Sequence, residues 1–154
     1  MMISRETDYA VRCVLHLART PGRIIMISEI ARACEVPRSF LAKILQRLAR
    51  AGVVRSHRGA GGGFQLVRDA GELSLRDVVE IMQGPVALNT CAVAKDRCSR
   101  SGECIVHPVW VRASADVGKL LGTYTFQRLL REEKKTDKRS KEVETGALSG
   151  ASQD

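Results

Sequence analysis

Aromatic residues are scarce in this chain: Phe, Trp and Tyr make up 4% of its 154 residues, and there is a single Trp. Hydrophobic residues still account for 44% of the sequence, so we expect a core built from aliphatic side chains. No apolar run approaches the roughly 20 residues that a membrane span requires. The first ten residues, MMISRETDYA, lack the apolar stretch of a secretory signal. We therefore expect one compact domain with an appended element, located in the cytoplasm and not bound to a membrane.

Acidic residues are outnumbered over most of the chain, which carries a net charge of +8. Residues 132–154 hold five Lys and Arg against six Asp and Glu, so residues 1–131 hold 20 basic residues against 11 acidic ones. Such an excess on a small domain favours a polyanionic partner, most often nucleic acid. A basic surface that serves only solubility would have the same composition. Sequence motifs are therefore needed to distinguish it from a nucleic-acid-binding surface.

Three helical patterns follow one another over residues 7–18, 28–36 and 38–52. Ser4 or Thr7 can cap the first helix, and Ser28 can cap the second. The third has a core stripe with the spacing i, i+3, i+4 and i+7, formed by Leu41, Ile44, Leu45 and Leu48. A short helix, a tight turn and a helix with a basic outer face are typical of a helix-turn-helix.

A glycine-rich segment follows the third helix. Two β-prone runs, 53–57 and 64–67, flank the sequence RGAGGG. Glycine accepts positive φ without steric penalty, so this segment suits the tip of a hairpin. A hairpin after a recognition helix is a wing. A plain turn or a phosphate-binding loop are the alternatives, but the Lys-Ser/Thr ending of a phosphate loop is missing.

The predicted DNA contacts lie on the outer face of the third helix and at the wing tip. They are Arg38, Ser39, Phe40, Lys43, Gln46, Arg47, Arg50, Arg58 and Gly59. Arginine and lysine read guanine edges, glutamine prefers adenine, and most such contacts position the protein on the phosphate backbone. Any one of these side chains alone is equally compatible with a solvated surface. Together they predict binding to double-stranded DNA, with two subunits on two half-sites.

Three of the five cysteines lie in one segment, CAVAKDRCSRSGECIVH, residues 91–107. Six residues separate Cys91 from Cys98, five separate Cys98 from Cys104, and His107 lies three beyond Cys104. Thiolates and imidazole are ligands for iron–sulfur clusters and for zinc. Zinc sites generally pair cysteines at shorter spacing, so the wide gaps favour a cluster. A zinc site or a thiol-based redox sensor remains the alternative.

Three thiolates leave a coordination position for a fourth ligand. His107 is nearest in sequence, and Asp8 is available if a dimer places the first helix over the partner's loop. Locally, a histidine at a helix start or an aspartate in a first helical turn is also stabilising without any metal. The remaining cysteines, Cys13 and Cys34, stand alone in helical patterns, and we interpret both as small buried hydrophobic residues.

The C-terminal part predicts two further helices. SLRDVVEIMQG reads as a helix capped by Ser74, and a long helix is expected from His107 to about Lys135. A seam of apolar residues recurs along the latter every seven positions, at Trp110, Val117 and Tyr124. The seam predicts pairing with the same helix of a second subunit, and a core helix within one chain is the alternative. The predicted organisation is a winged helix-turn-helix over 1–84, a cysteine loop over 85–106, a dimerisation helix over 107–135 and a disordered tail over 136–154. The fold class is mainly α with a small β-hairpin wing.

These residues together resemble the Rrf-type family of bacterial winged-helix transcriptional regulators. The resemblance spans about residues 2–131 and rests on TDYAVRCVLHLA, on the stretch from ISEIARACEV to RGAGGGFQL, on SLRDVVEIMQG and on the three-cysteine loop. It implies a homodimeric repressor, not an enzyme, whose operator affinity is controlled by an iron–sulfur cluster. An iron–sulfur electron carrier is the alternative from another class, and indifference to DNA would favour it.

The resemblance also implies a ligand set. Cluster-binding members of the family hold iron through the loop cysteines, which are Cys91, Cys98 and Cys104 here. In IscR-like members a histidine placed as His107 completes a 2Fe–2S site, and in NsrR-like members an aspartate placed as Asp8 of the other subunit completes a 4Fe–4S site. CIVHPVW resembles the first branch and TDYA the second. The gap after Cys91 is one residue longer than is usual for the family, so the cluster type stays open.

Overall fold

The chain is mainly helical with one small antiparallel sheet, and the computed structural model describes residues 2–136. The elements are α1 (Arg5–Ala18), α2 (Ile27–Cys34), α3 (Arg38–Arg50), β1 (Val54–His57), β2 (Gly63–Leu66), α4 (Leu75–Gln83), α5 (Thr90–Val93) and α6 (His107–Thr123). The described part of a final helix, α7, covers 126–136. The predicted fold class, a winged helix-turn-helix followed by a long C-terminal helix, is confirmed.

The core of the N-terminal part, from α1 to β2, lies where α1, α2 and α3 meet. The predicted stripe of α3 is fully buried: Leu41, Ile44, Leu45 and Leu48 are each 0% exposed. Burying one such aliphatic side chain contributes about 1.5–3 kcal/mol, so this stripe fixes which side of α3 faces inward. The opposite side of α3 is exposed.

Local side-chain bonds determine where the helices begin. The Ser4 hydroxyl accepts a hydrogen bond from the Thr7 amide at 3.2 Å, so the first of the two predicted caps for α1 is used. Ser74 caps α4 in a capping box with Asp77, as predicted. The predicted cap at Ser28 is wrong, because α2 begins at Ile27, two residues earlier than that cap requires, with Met26 as its N-cap residue.

The wing is a two-stranded hairpin that is joined to the segment before α2. β1 and β2 pair from Val54↔Leu66 to His57↔Gly63. Phe64 forms a further bridge with Ile25, whose amide and carbonyl both bond to it at 2.9 and 2.8 Å. A Cβ at Gly63 would clash with the Ile25 carbonyl oxygen. Glycine is therefore required here for the close approach of two backbones.

The long C-terminal helix begins at His107, as predicted, but its expected end near Lys135 is wrong. α6 ends at Thr123, and Tyr124 leaves the helical region with φ −96° and ψ 87°. The next residue, Thr125, forms a β-bridge with Ser74, and Phe126 then enters the core with 0% exposure. α7 thus returns to the C-terminal end of α1, where Glu133 pairs with Arg19 at 2.5 Å. The predicted disordered tail lies outside the described residues, apart from residue 136.

Candidate DNA-binding surface and cysteine loop

The outer side of α3 is a continuous exposed surface, which we call the recognition face. It consists of Arg38, Ser39, Phe40, Lys43, Gln46 and Arg50, all exposed. The turn that presents it is compact, since Glu35 takes a left-handed conformation with φ 55° and Val36 is buried. Within residues 2–136, the side chains of Arg38, Lys43 and Arg50 form no ion pair. Their charges are therefore available to a polyanion.

The wing tip supplies one more exposed cation, Arg58. Arg58 and Gly59 follow directly after β1 and are exposed, and Gly59 has a φ of 96°, which a side chain would strain. Below the tip, Gln65 holds the hairpin in place. Its side-chain oxygen forms a hydrogen bond with Nε2 of the His57 ring at 3.0 Å, and its side-chain nitrogen donates to the Gly22 carbonyl at 2.8 Å. The wing is therefore a braced hairpin with a basic tip.

Arg47 differs from the other predicted DNA contacts because its guanidinium is engaged inside the molecule. It donates to the backbone carbonyls of Ile81 and Met82 at 3.2 and 2.6 Å, and it lies 3.5 Å from the Glu6 carboxylate. Both carbonyls belong to the last turn of α4, whose C-terminal oxygens have no partner within the helix. Arg47 thus joins the recognition helix to the end of α4 and to the start of α1.

Gln83, the last residue of α4, reinforces the same place. Its side-chain oxygen accepts from the Thr7 hydroxyl at 2.8 Å and from the Ser4 amide at 3.2 Å. Thr7 is 0% exposed whereas Gln83 is exposed, so the hydrogen bond between them is partly buried. We call Glu6, Thr7, Arg47 and Gln83 the polar junction. Sequence reasoning missed it; the one signal was a polar residue, Thr7, at an inward position of α1.

Gln83 of the polar junction lies two residues before the cysteine loop, residues 85–106. Cys91 is buried within α5, while Cys98 and Cys104 are half-buried, and all three are free thiols. In the described range 2–136, no three His, Cys, Asp or Glu side chains converge in a way that could hold a metal ion. Within residues 2–136 of a single chain, Cys91, Cys98, Cys104 and His107 therefore lie in one segment but do not converge around one point, and Asp8 lies apart on α1.

Backbone hydrogen bonds give the second half of the loop a turn-like form. The Ser101 amide and hydroxyl both donate to the Cys98 carbonyl, at 3.1 and 2.8 Å. Further on, the His107 amide donates to the Cys104 carbonyl at 3.1 Å. At the other side of the loop, the Leu88 amide donates to the hydroxyl of Ser114 on α6 at 3.0 Å. The loop is thus anchored to α6 at both of its ends.

The two candidates for a fourth ligand differ in their surroundings. His107 is 8% exposed, and its Nδ1 is buried without a hydrogen-bond partner among the described residues. Asp8 is half-exposed on α1 and pairs with Arg12 at 2.8 Å. Three free thiols and one unsatisfied imidazole nitrogen are a donor set that fits an iron–sulfur cluster. His107 has the stronger local reason to bind one.

The two remaining cysteines are buried, as predicted, with Cys13 at 0% and Cys34 at 6% exposure. Both lie in the hydrophobic core cluster. Over residues 2–136, no helix combines the length and apolar character needed to cross a bilayer.

The chain is similar to known regulators over most of its length. The Rrf2 family model, described as an iron-dependent transcriptional regulator, matches residues 3–132. Protein aau3 of Rhizobium meliloti is 36% identical over 132 residues, which cover 85% of this chain and 86% of that protein. Matching by family and by sequence thus spans both the winged domain and the cysteine loop.

Two solved structures are similar in fold. CymR, the global cysteine regulator of B. subtilis, has a TM-score of 0.67 at 25% identity and covers 84% of this chain and 95% of its own. IscR of T. potens has a TM-score of 0.69 at 21% identity and covers 86% and 88%. The recognition face, the wing and these matches agree on DNA binding and transcriptional regulation. This chain therefore belongs to the Rrf2 family of winged-helix transcriptional regulators.

Proposed function

We propose that this chain is a homodimeric repressor whose affinity for its DNA operator is controlled by an iron–sulfur cluster in the cysteine loop. The donor set supports the proposal: Cys91, Cys98 and Cys104 are free thiols in one segment, and His107 follows with an unsatisfied buried nitrogen. Arg97 and Arg100 stand in the same segment, and such cations favour the thiolate form that binds metal.

The buried nitrogen of His107 is the observation that carries the proposal. A buried polar atom without a partner costs about 1–3 kcal/mol, and ligation would remove that penalty. We therefore assign His107 as the fourth ligand. Asp8, contributed by the second subunit, is the alternative that the same experiment tests.

When bound, the cluster would supply an inorganic centre that reacts with oxidants or nitric oxide and changes charge or is lost. The chain itself would transmit the change in the cluster to the recognition helix, because the loop begins two residues after Gln83, a member of the polar junction. There, Arg47 ties the end of α4 to the recognition helix. A coupling of about 1–3 kcal/mol would change operator affinity about 5- to 150-fold, which is within the range of a few altered hydrogen bonds.

Dimerisation through α6 is part of the proposal. Several of its apolar side chains are exposed in the single chain, among them Val109 at 59%, Trp110 at 37% and Leu120 at 57%. Exposed large apolar side chains grouped on one helix favour a protein partner. Pairing with α6 of a second copy would cover it and would place two recognition faces on two half-sites of DNA.

Anaerobic purification tests the ligand assignment. We expect the wild-type protein to contain iron and sulfide and to absorb visible light, and Cys98→Ala to lose both. Cys13→Ala is the matched control, since it removes a thiol outside the loop and should keep the colour. Colour and iron retained in Cys98→Ala would contradict the assignment, as would wild-type protein that stays colourless after reconstitution. His107→Ala and Asp8→Ala, compared in the same assay, identify the fourth ligand by the larger loss of iron.

A zinc- or thiol-redox-responsive regulator is the second candidate; thiol chemistry, unlike a metal site, does not require the three loop cysteines to converge, and within residues 2–136 they do not. Elemental analysis distinguishes the two candidates, since zinc without sulfide supports the second and iron with sulfide supports the first. In either case we expect binding to random duplex DNA that weakens steeply with salt. Protein that does not bind random duplex DNA at low salt would indicate an electron carrier instead.

A further inference from the structure

Phe40 is the one apolar member of the recognition face, and it is 54% exposed. Its inward-facing neighbours on α3, Leu41 and Ile44, are fully buried, whereas Phe40 does not belong to the core cluster. Leaving a large aromatic side chain in water forgoes much of the stabilisation that its burial would give. A single exposed apolar residue is ordinary on a protein surface, so its position decides whether it has a role.

The position of Phe40 distinguishes it from other exposed apolar residues. It is the third residue of α3, which begins at Arg38, and the N-terminal residues of a recognition helix are those that contact base edges. The amides of Phe40 and Leu41 both donate to the Pro37 carbonyl at 3.0 Å, so the first turn of the helix is formed. Side chains on a helix lean towards its N-terminus. The ring therefore projects over the end of α3 that approaches the bases.

Positive charges on both sides of Phe40 favour DNA over a second protein as its partner. Arg38 precedes it and Lys43 follows one turn later; both are exposed, and within residues 2–136 neither forms an ion pair. Two such faces on copies of a chain with a net charge of +8 would repel each other, whereas the phosphates of a duplex attract both cations. These cations would hold Phe40 against the major groove without reading the sequence themselves.

The major groove offers Phe40 one apolar group. The four bases present hydrogen-bond donors and acceptors there, and only thymine adds a methyl group, at C5. A phenyl ring has no hydrogen-bonding atom, so it gains by covering that methyl group and leaves the polar edge of any other base without a partner. Insertion of the ring between base pairs does not suit this geometry, because wedging side chains enter from the minor groove.

We propose that Phe40 recognises one thymine in each half-site through its 5-methyl group. This inference rests on the DNA binding proposed above and adds a determinant of sequence specificity to it. Burial of one methyl-sized group corresponds to about fourfold in affinity, so loss of the methyl from both half-sites should weaken binding about 16-fold. Contacts from Lys43 or Gln46 to base edges do not involve the methyl group. Dependence on that group therefore separates Phe40 from its polar neighbours.

A methyl scan of bound DNA tests the proposal. Duplexes are selected from a random-sequence pool with the anaerobically purified full chain. Each thymine of the selected duplex is then replaced in turn, in both half-sites, by deoxyuridine, which pairs with adenine in the same way but lacks the methyl group. We expect one symmetric position at which the wild-type chain loses about 16-fold in affinity. Phe40→Ala should bind the thymine duplex more weakly and should no longer distinguish it from the uracil duplex.

Two further variants complete the test. Lys43→Ala is the matched control on the same face, and it should weaken binding to both duplexes while keeping the full difference between them. Phe40→Leu retains an apolar side chain and should keep part of the discrimination. Because Phe40 is exposed, its variants should also keep the wild-type Tm, so a change in affinity is not a loss of fold.

Two results would overturn the proposal. The first is a wild-type chain that binds thymine and uracil duplexes equally at every position. The second is a difference that persists undiminished in Phe40→Ala, because DNA shape or another side chain would then account for it. Neither result bears on DNA binding itself. Selection that enriches no duplex at all would instead overturn the DNA-binding function, and this inference with it.

Discussion

Replacing Arg47 by methionine tests whether this arginine supports the fold or contacts DNA. Its guanidinium donates to the carbonyls of Ile81 and Met82 at the end of α4 and lies 3.5 Å from the Glu6 carboxylate. Arg50, one turn further along α3, is exposed and forms no ion pair within residues 2–136. Arg50→Met is therefore the matched control on the same helix.

The expected magnitudes follow from these contacts. A hydrogen bond from a charged group contributes about 1.5–3 kcal/mol, and an exposed ion pair contributes about 0–1 kcal/mol. The Arg47 side chain is 41% exposed, so water can replace part of what is lost. We expect Arg47→Met to lower the free energy of unfolding by about 1–3 kcal/mol, and Arg50→Met to change it by less than about 0.5 kcal/mol. Urea titration monitored by circular dichroism measures both.

DNA binding should show the opposite pattern. Removing one phosphate contact lowers the slope of log K against log salt by about one. We expect that loss for Arg50→Met and an unchanged slope for Arg47→Met. Equal losses of stability in the two variants, or a reduced salt slope in Arg47→Met, would refute the division of roles between these arginines.

Three further substitutions test the fold around the site. Gly63→Ala introduces a clash with a backbone carbonyl, so the free energy of unfolding should fall by about 1–3 kcal/mol; Gly102→Ala, which meets no neighbouring atom, should leave it unchanged. Ser74→Ala removes the α4 cap and should cost about 1 kcal/mol. Burial alone would raise the pKa of Asp77, but hydrogen bonds from Ser74 and the charges of Arg68 and Arg76 lower it from its ordinary value of 3.8. The ionised carboxylate therefore stabilises the fold above that pH. The stabilisation is lost as the pH falls through the lower pKa of the native state. A Tm series between about pH 5 and pH 2 should show a smaller acid-induced loss in Ser74→Ala. Phe126→Ala should lower the free energy of unfolding by about 3–5 kcal/mol, and a loss below about 1 kcal/mol would contradict the packing of α7.

Helices that bury one face could be predicted because burial leaves a period in the sequence. The stripe of α3 is apolar at the positions that must face α1 and α2, and each of its members is fully buried. The Ser74 cap was equally predictable, since a hydroxyl and a carboxylate three residues apart satisfy two backbone amides. In both cases the deciding interactions are local, or are repeated often enough to form a pattern.

The end of α6 could not be predicted because a distant contact determines it. The apolar residues of the predicted seam, Trp110, Val117 and Tyr124, continue through the position where the helix stops. The stop depends on Thr125, which pairs with Ser74, and on Phe126, which fills the core. Burying one large aromatic side chain outweighs the hydrogen bonds lost at a single helix break. That comparison requires knowing where the cavity for Phe126 lies.

The candidate site also combines features that local sequence predicts with features that depend on contacts between distant elements. Residue types and spacing predict the donors of the cysteine loop, but whether His107 or Asp8 completes the set depends on distances between separate elements. Arg47 illustrates the reason most clearly. Helical periodicity gives the direction of a Cα–Cβ bond, but a guanidinium on a long stem can reach back to the carbonyls of a neighbouring helix. Whether an arginine at the border of the recognition face contacts DNA or stabilises the fold therefore depends on the neighbouring elements. For Arg47, the neighbour is the C-terminal end of α4, whose carbonyl oxygens accept its hydrogen bonds.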